Sequence, residues 1–486
     1  MSTSQTAVFR EVVRAHMRPP PVVVSPDTLV AEVVRAMAGE RVSAAVVVDA
    51  ERRILGILTE QDVVRRVACQ RTGDEPVQTV MTRPVLRVAD DDYLYQAIGF
   101  MRRNKLRHMP VVDADGALVG VLFLHDATAV AAASRVDDID RLTHETSVEG
   151  LKESRRAQVQ LAADLLADGV PAPEVQQVIS DLNNDVHRRI VELSVRDMAV
   201  EGWGDPPRPF ATLVTGSGGR GESMLAPDQD VGMIIGDYPD AEHTQIDRYF
   251  VALAERVTDR LAFVGFPRCR GGVMAINPVW RKTLSQWRAQ VHRFIARRHA
   301  VMLQLFVLLY DFSIVQGEAA FGRELRACVT DEVRTHPQLA PDFYEVQAEH
   351  GTVLGVFRRL RTERRGEQRG KLNLKHGGTL PLVEAVRLMA MRHGVEATGT
   401  LARIAALEGS GLLSRDEVDH LRSAYGFITG LQLRTQIADV EAGREVSNHV
   451  HPDNLTERER NVLRDSLVAI NGFRDRVRAD MGGGLL

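Results

Sequence analysis

The chain is poor in the features that usually place a protein by composition alone. It has three cysteines, Cys69, Cys269 and Cys328, far apart and with no CxxC pair. That excludes a disulfide framework and a structural zinc finger, and it fits a reducing compartment. Neither charge is in excess: 61 Lys+Arg stand against 65 Asp+Glu, a net charge of -4. No nucleic-acid or membrane-surface partner is expected from that balance. The longest apolar run, Val301–Tyr310, has ten residues and is broken by Gln304. A bilayer span needs roughly 20. The start, MSTSQTAVFREVVRAH, has no apolar core behind a basic segment, so no signal peptide is read and a cytoplasmic protein is expected. What remains is ordinary, with 44% hydrophobic and 26% charged residues over 486 positions. That is enough for about three domains.

The first positive feature is an internal repeat. VVVDAERRILGILTEQDVV (46–64) matches PVVDADGALVGVLFLHDAT (110–128) at an offset of 64. The offset pairs Asp49 with Asp113, Gly56 with Gly120, and Asp62 with Asp126. Each copy reads as a short strand, a helix capped by Asp27 or Asp90, two β-branched strands joined by a tight turn, and a further helix. A unit of about 60 residues buries little alone, so the copies should pack together. The closing signature, Gly56-Ile57-Leu58-Thr59-Glu60-Gln61-Asp62, resembles the nucleotide-binding turn of CBS domains. The resemblance covers 17–135 as a tandem pair, a Bateman module, and implies AMP, ADP or ATP as ligand and a homodimer through the pair. Thr59 and a helix start suit a phosphate, and Asp62 suits ribose hydroxyls. In copy two Phe123 stands where the hydroxyl residue is expected, which leaves Asp126 as its remaining determinant.

A helical stretch expected as a linker (136–205) follows. Val175, Val178, Ile179, Leu182, Val186, Ile190, Leu193 and Met198 recur at helical spacing. His187 in this stretch is expected to be solvated or a cap. Then comes FATLVTGSGGRGESMLAPDQDVGMIIGD (210–237). It reads as a strand at 211–215, a glycine-rich turn into a short helix, and a strand at 229–235. In an extended segment, residues two apart share a face. Asp228 and Asp230 can therefore hold Mg²⁺ together. Gly216, Gly218 and Gly219 admit close backbone approach of a triphosphate, and Ser217 adds a donor. Phosphoryl-type transfer needs mainly such a metal clamp and such donors.

Gly-Ser followed by Asp-Gln-Asp between two strands resembles nucleotidyltransferases of the polymerase-β superfamily. GSxGRxE before DQD resembles the nucleotidyltransferases fused to CBS domains, relatives of PII uridylyltransferase and glutamine synthetase adenylyltransferase. Arg220 and Glu222 belong to that match; Arg220 would contact phosphate, and Glu222 would orient it or approach a metal. The next expected strand, 270–280, carries no carboxylate, so Asp311 is the candidate for a further metal ligand. Its other reading is a cap after a buried helix.

From about Phe321 the chain reads as helices: Pro381–Arg392, Thr400–Leu407, Asp416–Gln436 and Thr456–Met481. This resembles the substrate-binding region of the same family. Two of the five lysines, Lys371 and Lys375, fall in KLNLKHGG, where Lys375 and His376 can face a phosphate.

The expected architecture is multidomain α/β plus all-α. It comprises a CBS pair (17–135), the helical linker (136–205), a polymerase-β-like core (206–315) and a C-terminal helical bundle as substrate-binding domain (316–486). The resemblance implies transfer of a nucleoside monophosphate from ATP or UTP to a hydroxyl, with a protein acceptor and control by adenine nucleotide. Two alternatives stay open: a catalytically inactive nucleotide sensor, and an interaction scaffold.

Overall fold

The computed structural model describes residues 11–482, apart from 21, 41, 68–72, 105, 125, 128–146, 168 and 348–350. Cys69 and the first part of the expected linker lie outside the described residues. The chain divides into two compact units, 1–140 and 141–486.

The first unit is built twice. In copy one, β1 (Val23–Val24) runs parallel to β2 (Ala44–Val48), which pairs antiparallel with β3 (Ile54–Thr59). Helix α1 (Val30–Gly39) presents Val30, Val33 and Met37 at helical spacing and buries them with Ala45, Val47 and Leu58. Copy two repeats the order with β4 (Val88–Ala89), α2 (Leu94–Arg103), β5 (His108–Val112) and β6 (Leu118–Phe123). The other faces of the two sheets meet: Val46 and Val48 cluster with Leu118 and Val121. The repeat therefore closes one shared core, as its size demands. Asp27 is not a helix cap. Leu29 holds that position without a side-chain bond, and Asp27 accepts from the Gln78 amide.

In the second unit come α3 (Val148–Ala167), α4 (Ala172–Val200), β7 (Phe210–Val214), α5 (Gly216–Arg220), β8 (Val231–Ile235), α6 (His243–Val264), β9 (Arg281–Thr283), α7 (Leu284–Arg297), α8 (Ala300–Tyr310) and β10 (Ser313–Gly317). The sheet order is β10-β7-β8-β9, with β8 and β9 parallel and the other pairs antiparallel. Alternation sorts its two faces. Phe210, Val214, Val231, Met233 and Ile235 pack against α4 and α6, while Leu213 and Ile234 face the C-terminal helices.

Two expectations change here. The stretch expected as a linker is part of this unit: α3 and α4 pack on each other and on α6, and bury polar groups such as Gln158, Gln176, Ser180 and Asn183. The expected strand at 270–280 is a run of turns. Val231 N–H donates to Val273 O and Met233 N–H to Trp280 O, so six intervening residues loop out beside β8. Regular pairing begins only at Arg281.

The remaining helices are α9 (Ala319–Thr335), α10 (Ala340–Gln347), α11 (Leu380–Arg392), α12 (Thr400–Gly409), α13 (Arg415–Glu441) and α14 (Glu457–Gly482). Helix α11 is the axis of this bundle, with residues 381–391 all buried. A short pair, β11 (Leu372–Asn373) with β12 (His449–Val450), leads into Lys375.

Candidate functional site

The site forms where β7 ends and β8 begins. Thr215 N–H donates to Asp230 O at 2.9 Å, which carries the ladder one step past the paired strands. The chain then turns into α5 through Gly216, whose φ of 59° favours glycine. A Cβ at Gly216 would lie 3.2 Å from Asp230 Oδ2. The turn is packed from behind as well: a Cβ at Gly219 would sit 2.1 Å from Asp311 O. Ser217 and Gly218 are half-buried on the short helix.

Asp228 and Asp230 flank Gln229, which points the other way. Gln229 is buried, and its amide donates to Thr258 O and Phe266 O at 3.0 and 2.8 Å. That anchor fixes the two carboxylates on the face toward the C-terminal helices. Asp228 is exposed and Asp230 half-buried. Burial pushes the Asp230 carboxyl up to about 6, and the charge of Asp228 adds to this; the Cys269 thiol, Lys375 and Arg220 act against it. Lys375 thus brings the C-terminal bundle to bear on the acidic pair.

Asp228, Asp230 and Cys269 each offer a donor atom, all within 4.8 Å of one another. Cys269 was not among the candidate residues read from the sequence. Burial, then the charge of Asp230, pushes its thiol up to about 11.

Asp311, the candidate for a further metal ligand, is not in this group. It ends α8, fully buried, and is walled in by arginines. Arg220 Nη1, Arg387 Nη1 and Arg403 Nη2 donate to its carboxylate at 2.8, 2.6 and 2.7 Å. Burial works against the charged form, but the three guanidiniums prevail and hold the carboxyl well below the usual carboxylate range. Its role is to clamp the glycine-rich turn to α11 and α12. Glu222 belongs to the same clamp: it accepts from Arg220 Nε at 2.6 Å and from the Thr400 N–H. Arg220 and Glu222 thus form an ion pair with little exposure, and Glu222 orients Arg220.

Asn373 accepts from the His376 N–H and so shapes the loop that carries Lys375. His187 is buried, contrary to the expectation of a solvated residue. Its Nδ1 lies 2.7 Å from Asn183 O, and its ring meets Phe266 edge-on at 4.6 Å. Burial lowers its pKa to about 4; the Asn183 bond opposes this and the charge of Arg155 adds to it.

In the first unit, Thr59 and Asp62 close a capping box after β3. Thr59 Oγ1 donates to Asp62 Oδ2 at 2.7 Å, and Thr82 Oγ1 donates to Asp62 Oδ1 at 3.0 Å. Gly56 has a packing reason, since a Cβ there would strike Met81 Sδ at 2.1 Å; Gly120 is crossed by Met17 in the same way. In copy two, Asp126 pairs with Arg18 at 2.6 Å, and that guanidinium lies 5.5 Å from the centre of the Phe123 ring.

Among the described residues, no helix is long and apolar enough to cross a membrane. The model of the putative nucleotidyltransferase DUF294 matches residues 156–300. That of the putative nucleotidyltransferase substrate binding domain matches 338–481, and that of the CBS domain 10–69 and 77–132. An uncharacterized 17.7 kDa protein of Acidianus ambivalens is 35% identical over 104 residues, 21% of this chain and 63% of that protein. The inosine-5'-monophosphate dehydrogenase of Aquifex aeolicus is 36% identical over 107 residues, 22% of this chain and 21% of that enzyme. The chain thus spans less than two thirds of the length of either relative. Among solved structures, CBSX2 in complex with AMP has 26% identity and a TM-score of 0.23, covering 26% of this chain and 98% of that one. A CBS-domain-containing protein from Agrobacterium tumefaciens has 28% identity and a TM-score of 0.23, covering 25% and 99%. Matching the models of the CBS domain, the putative nucleotidyltransferase and its substrate binding domain in that order, the chain belongs to the family of CBS-fused putative nucleotidyltransferases.

Proposed function

We propose that the second unit transfers a nucleoside monophosphate from ATP or UTP to a hydroxyl, with Asp228 and Asp230 holding a divalent cation such as Mg²⁺. The observation that carries this reading is the placement of the two carboxylates. They share one face, beside a glycine turn that leaves room at Asp230 Oδ2 and within the electrostatic reach of Lys375 and Arg220. Like charges held this close, one of them half-buried, are a fit for a cation. The cation would polarise the phosphate under attack and help bring the attacking oxygen into line. The chain's own part is positional. Gly216 and Gly218 let the triphosphate approach the backbone, and the Ser217 hydroxyl donates to it. Lys375 neutralises charge on the leaving pyrophosphate, and Arg220 adds positive potential from behind the turn. The acceptor is a protein hydroxyl, as in the transferases the motif resembles.

In the first unit, Thr59 and Asp62 would hold an adenine nucleotide, AMP, ADP or ATP, which regulates transfer. The pair would also make the chain a homodimer. Both groups are half-buried and already joined at the start of a helix, so a ribose would take over the bonds that Asp62 accepts from Thr59 and Thr82.

The test uses radiolabelled ATP and UTP with a divalent cation and native lysate. Label should pass to protein with the wild type and not with Asp228→Asn/Asp230→Asn. In chelator, that double variant should be as stable as the wild type or more so, because it relieves charge repulsion. Stable nucleotide binding without transfer would establish the sensor reading instead, which the withdrawal of Asp311 into its arginine clamp favours.

A further inference from the structure

We infer that Cys269 is the third ligand of the Asp228–Asp230 cation site, and that its sulfur turns the preference of the site from Mg²⁺ toward a thiophilic divalent cation of the zinc and cobalt class. The inference rests on the reading of the acidic pair as a cation site and concerns which cation that site selects.

The first support is that the position of Cys269 is built. The segment before it is fastened to Gln229, the residue between the two aspartates. Gln229 N–H donates to Pro267 O at 2.9 Å, its side chain donates to Phe266 O, and Gln229 bridges Arg268 in parallel. Gly272 N–H then donates to Cys269 O and closes the turn. The same residue that aims the carboxylates thus also places the thiol. The result is three donor atoms within 4.8 Å of one another, from two separate segments.

A second observation is independent of these three residues. Thr215 opposes Asp230 across the β7–β8 ladder, so its side chain lies on the same sheet face as Asp228 and Asp230. It is 1% exposed, and its hydroxyl has no hydrogen-bond partner among the described residues. A buried hydroxyl without a partner is costly and calls for one. A cation, or a water bound to it, next to Asp230 supplies that partner.

The chemistry of the donors then decides the ion. Mg²⁺ takes oxygen ligands in near-octahedral geometry and keeps several waters. Thiolate is a soft ligand that favours zinc-like cations, and carboxylates accept these as well. On binding, the S–H bond breaks heterolytically. Its electron pair goes to the cation, and its proton passes to solvent. No oxidation is involved, and the three ligand charges are offset by the cation and by Lys375.

The test is titration of the full-length protein with Co²⁺, with the thiolate-to-cobalt charge-transfer band in the near ultraviolet as readout, together with equilibrium dialysis against Mg²⁺. The wild type should show the band at stoichiometric cobalt. Cys269→Ser should lose it and bind Co²⁺ at least about tenfold more weakly, with Mg²⁺ affinity nearly unchanged. Cys269→Asp, which supplies a hard oxygen in place of sulfur, should favour Mg²⁺. Cobalt bound without the band, or a band that survives in Cys269→Ser, overturns the inference and leaves the acidic pair as a cation site. If neither cation binds the wild type, both readings fall.

Discussion

Asp311→Asn removes one charge and almost no volume, which makes it a clean probe of the clamp behind the glycine-rich turn. In the wild type, three buried guanidiniums share its carboxylate, with exposures of 9, 7 and 0% for Arg220, Arg387 and Arg403. After substitution, Arg220 keeps Glu222 at 2.6 Å. Arg403 keeps Ala397 O and the Tyr310 ring, but no carboxylate among the described residues. Removing one partner of a buried ion pair costs about 3–5 kcal/mol, because the partner left behind stays buried and charged. An unfolding entropy of about 2.1 cal/mol/K per residue over the second unit then gives a fall in Tm of ~4–7 °C. Thermal melts and urea unfolding of the full chain, followed by circular dichroism, measure this. Asp311→Asn combined with Arg403→Met should recover part of the loss, since the second change removes a stranded charge. Nucleotide binding should weaken in the single variant, because Arg220 and the turn lose their rear anchor. A melt within ~1 °C of wild type would refute the reasoning: the arginines would then have found other partners, and Asp311 would be a passive cap.

Gly219→Ala should cost about 1–3 kcal/mol and weaken triphosphate binding, because its Cβ would meet backbone at Asp311 O rather than a movable side chain; melts and nucleotide titration check it. His187 is neutral when folded, so its contribution to stability is complete above its unfolded pKa and is lost as the pH falls from about 6.5 to about 4. The loss amounts to roughly 3 kcal/mol, visible as a steeper decline in urea stability for the wild type than for His187→Gln over that window. In the first unit, Asp62→Ala should weaken AMP, ADP and ATP binding by isothermal titration of the full chain and remove any nucleotide effect on transfer, with basal transfer intact. Asp126→Ala should change binding far less, since Arg18 already takes that carboxylate and Phe123 replaces a donor.

The two-fold repeat and the strand–turn–strand core were legible because both are written in local pattern. An offset of 64 carries the two longer strands of copy one onto copy two, from Ala44–Val48 to His108–Val112 and from Ile54–Thr59 to Leu118–Phe123. The four C-terminal helices were found within a few residues of their ends for the same reason. The segment 270–280 was misread because Val273, Met274, Ala275 and Ile276 form an apolar run of strand length. Their apolar side chains do pack inward, but Asn277 folds the backbone away. Its amide donates to Gly272 O, and its side-chain oxygen accepts from Val279 N–H. Local polarity misled in the opposite direction at α3 and α4. Gln158, Gln176, Asn183 and His187 read as solvated in one dimension, yet all four are buried, and Gln176 bonds polar groups far along the chain. Tyr425 OH, for example, donates to Gln176 Oε1.

The candidate site shows where pattern stops carrying information. Asp228 and Asp230 were readable because both lie on the short segment leading into β8, where alternation about Gln229 decides the shared face. A third ligand from another segment has no such rule. Asp311 offers a carboxylate at the end of an apolar helix, yet it is no part of the group that the acidic pair forms. Its true setting depends on Arg220, Arg387 and Arg403, three residues spread over almost 200 positions, and no periodicity joins them. Cys269 was passed over for the complementary reason. Cysteine spacing bears on disulfides and zinc pairs, and it says nothing of a thiol set beside aspartates from another segment. The one signal that could have placed it is indirect. A glutamine held between two acidic residues must spend its amide somewhere, and here it spends it on Phe266 O, three residues before the thiol. A buried polar side chain inside a motif therefore indicates which distant segment the motif is tied to, and the residues just beyond that tie are the ones to examine for chemistry.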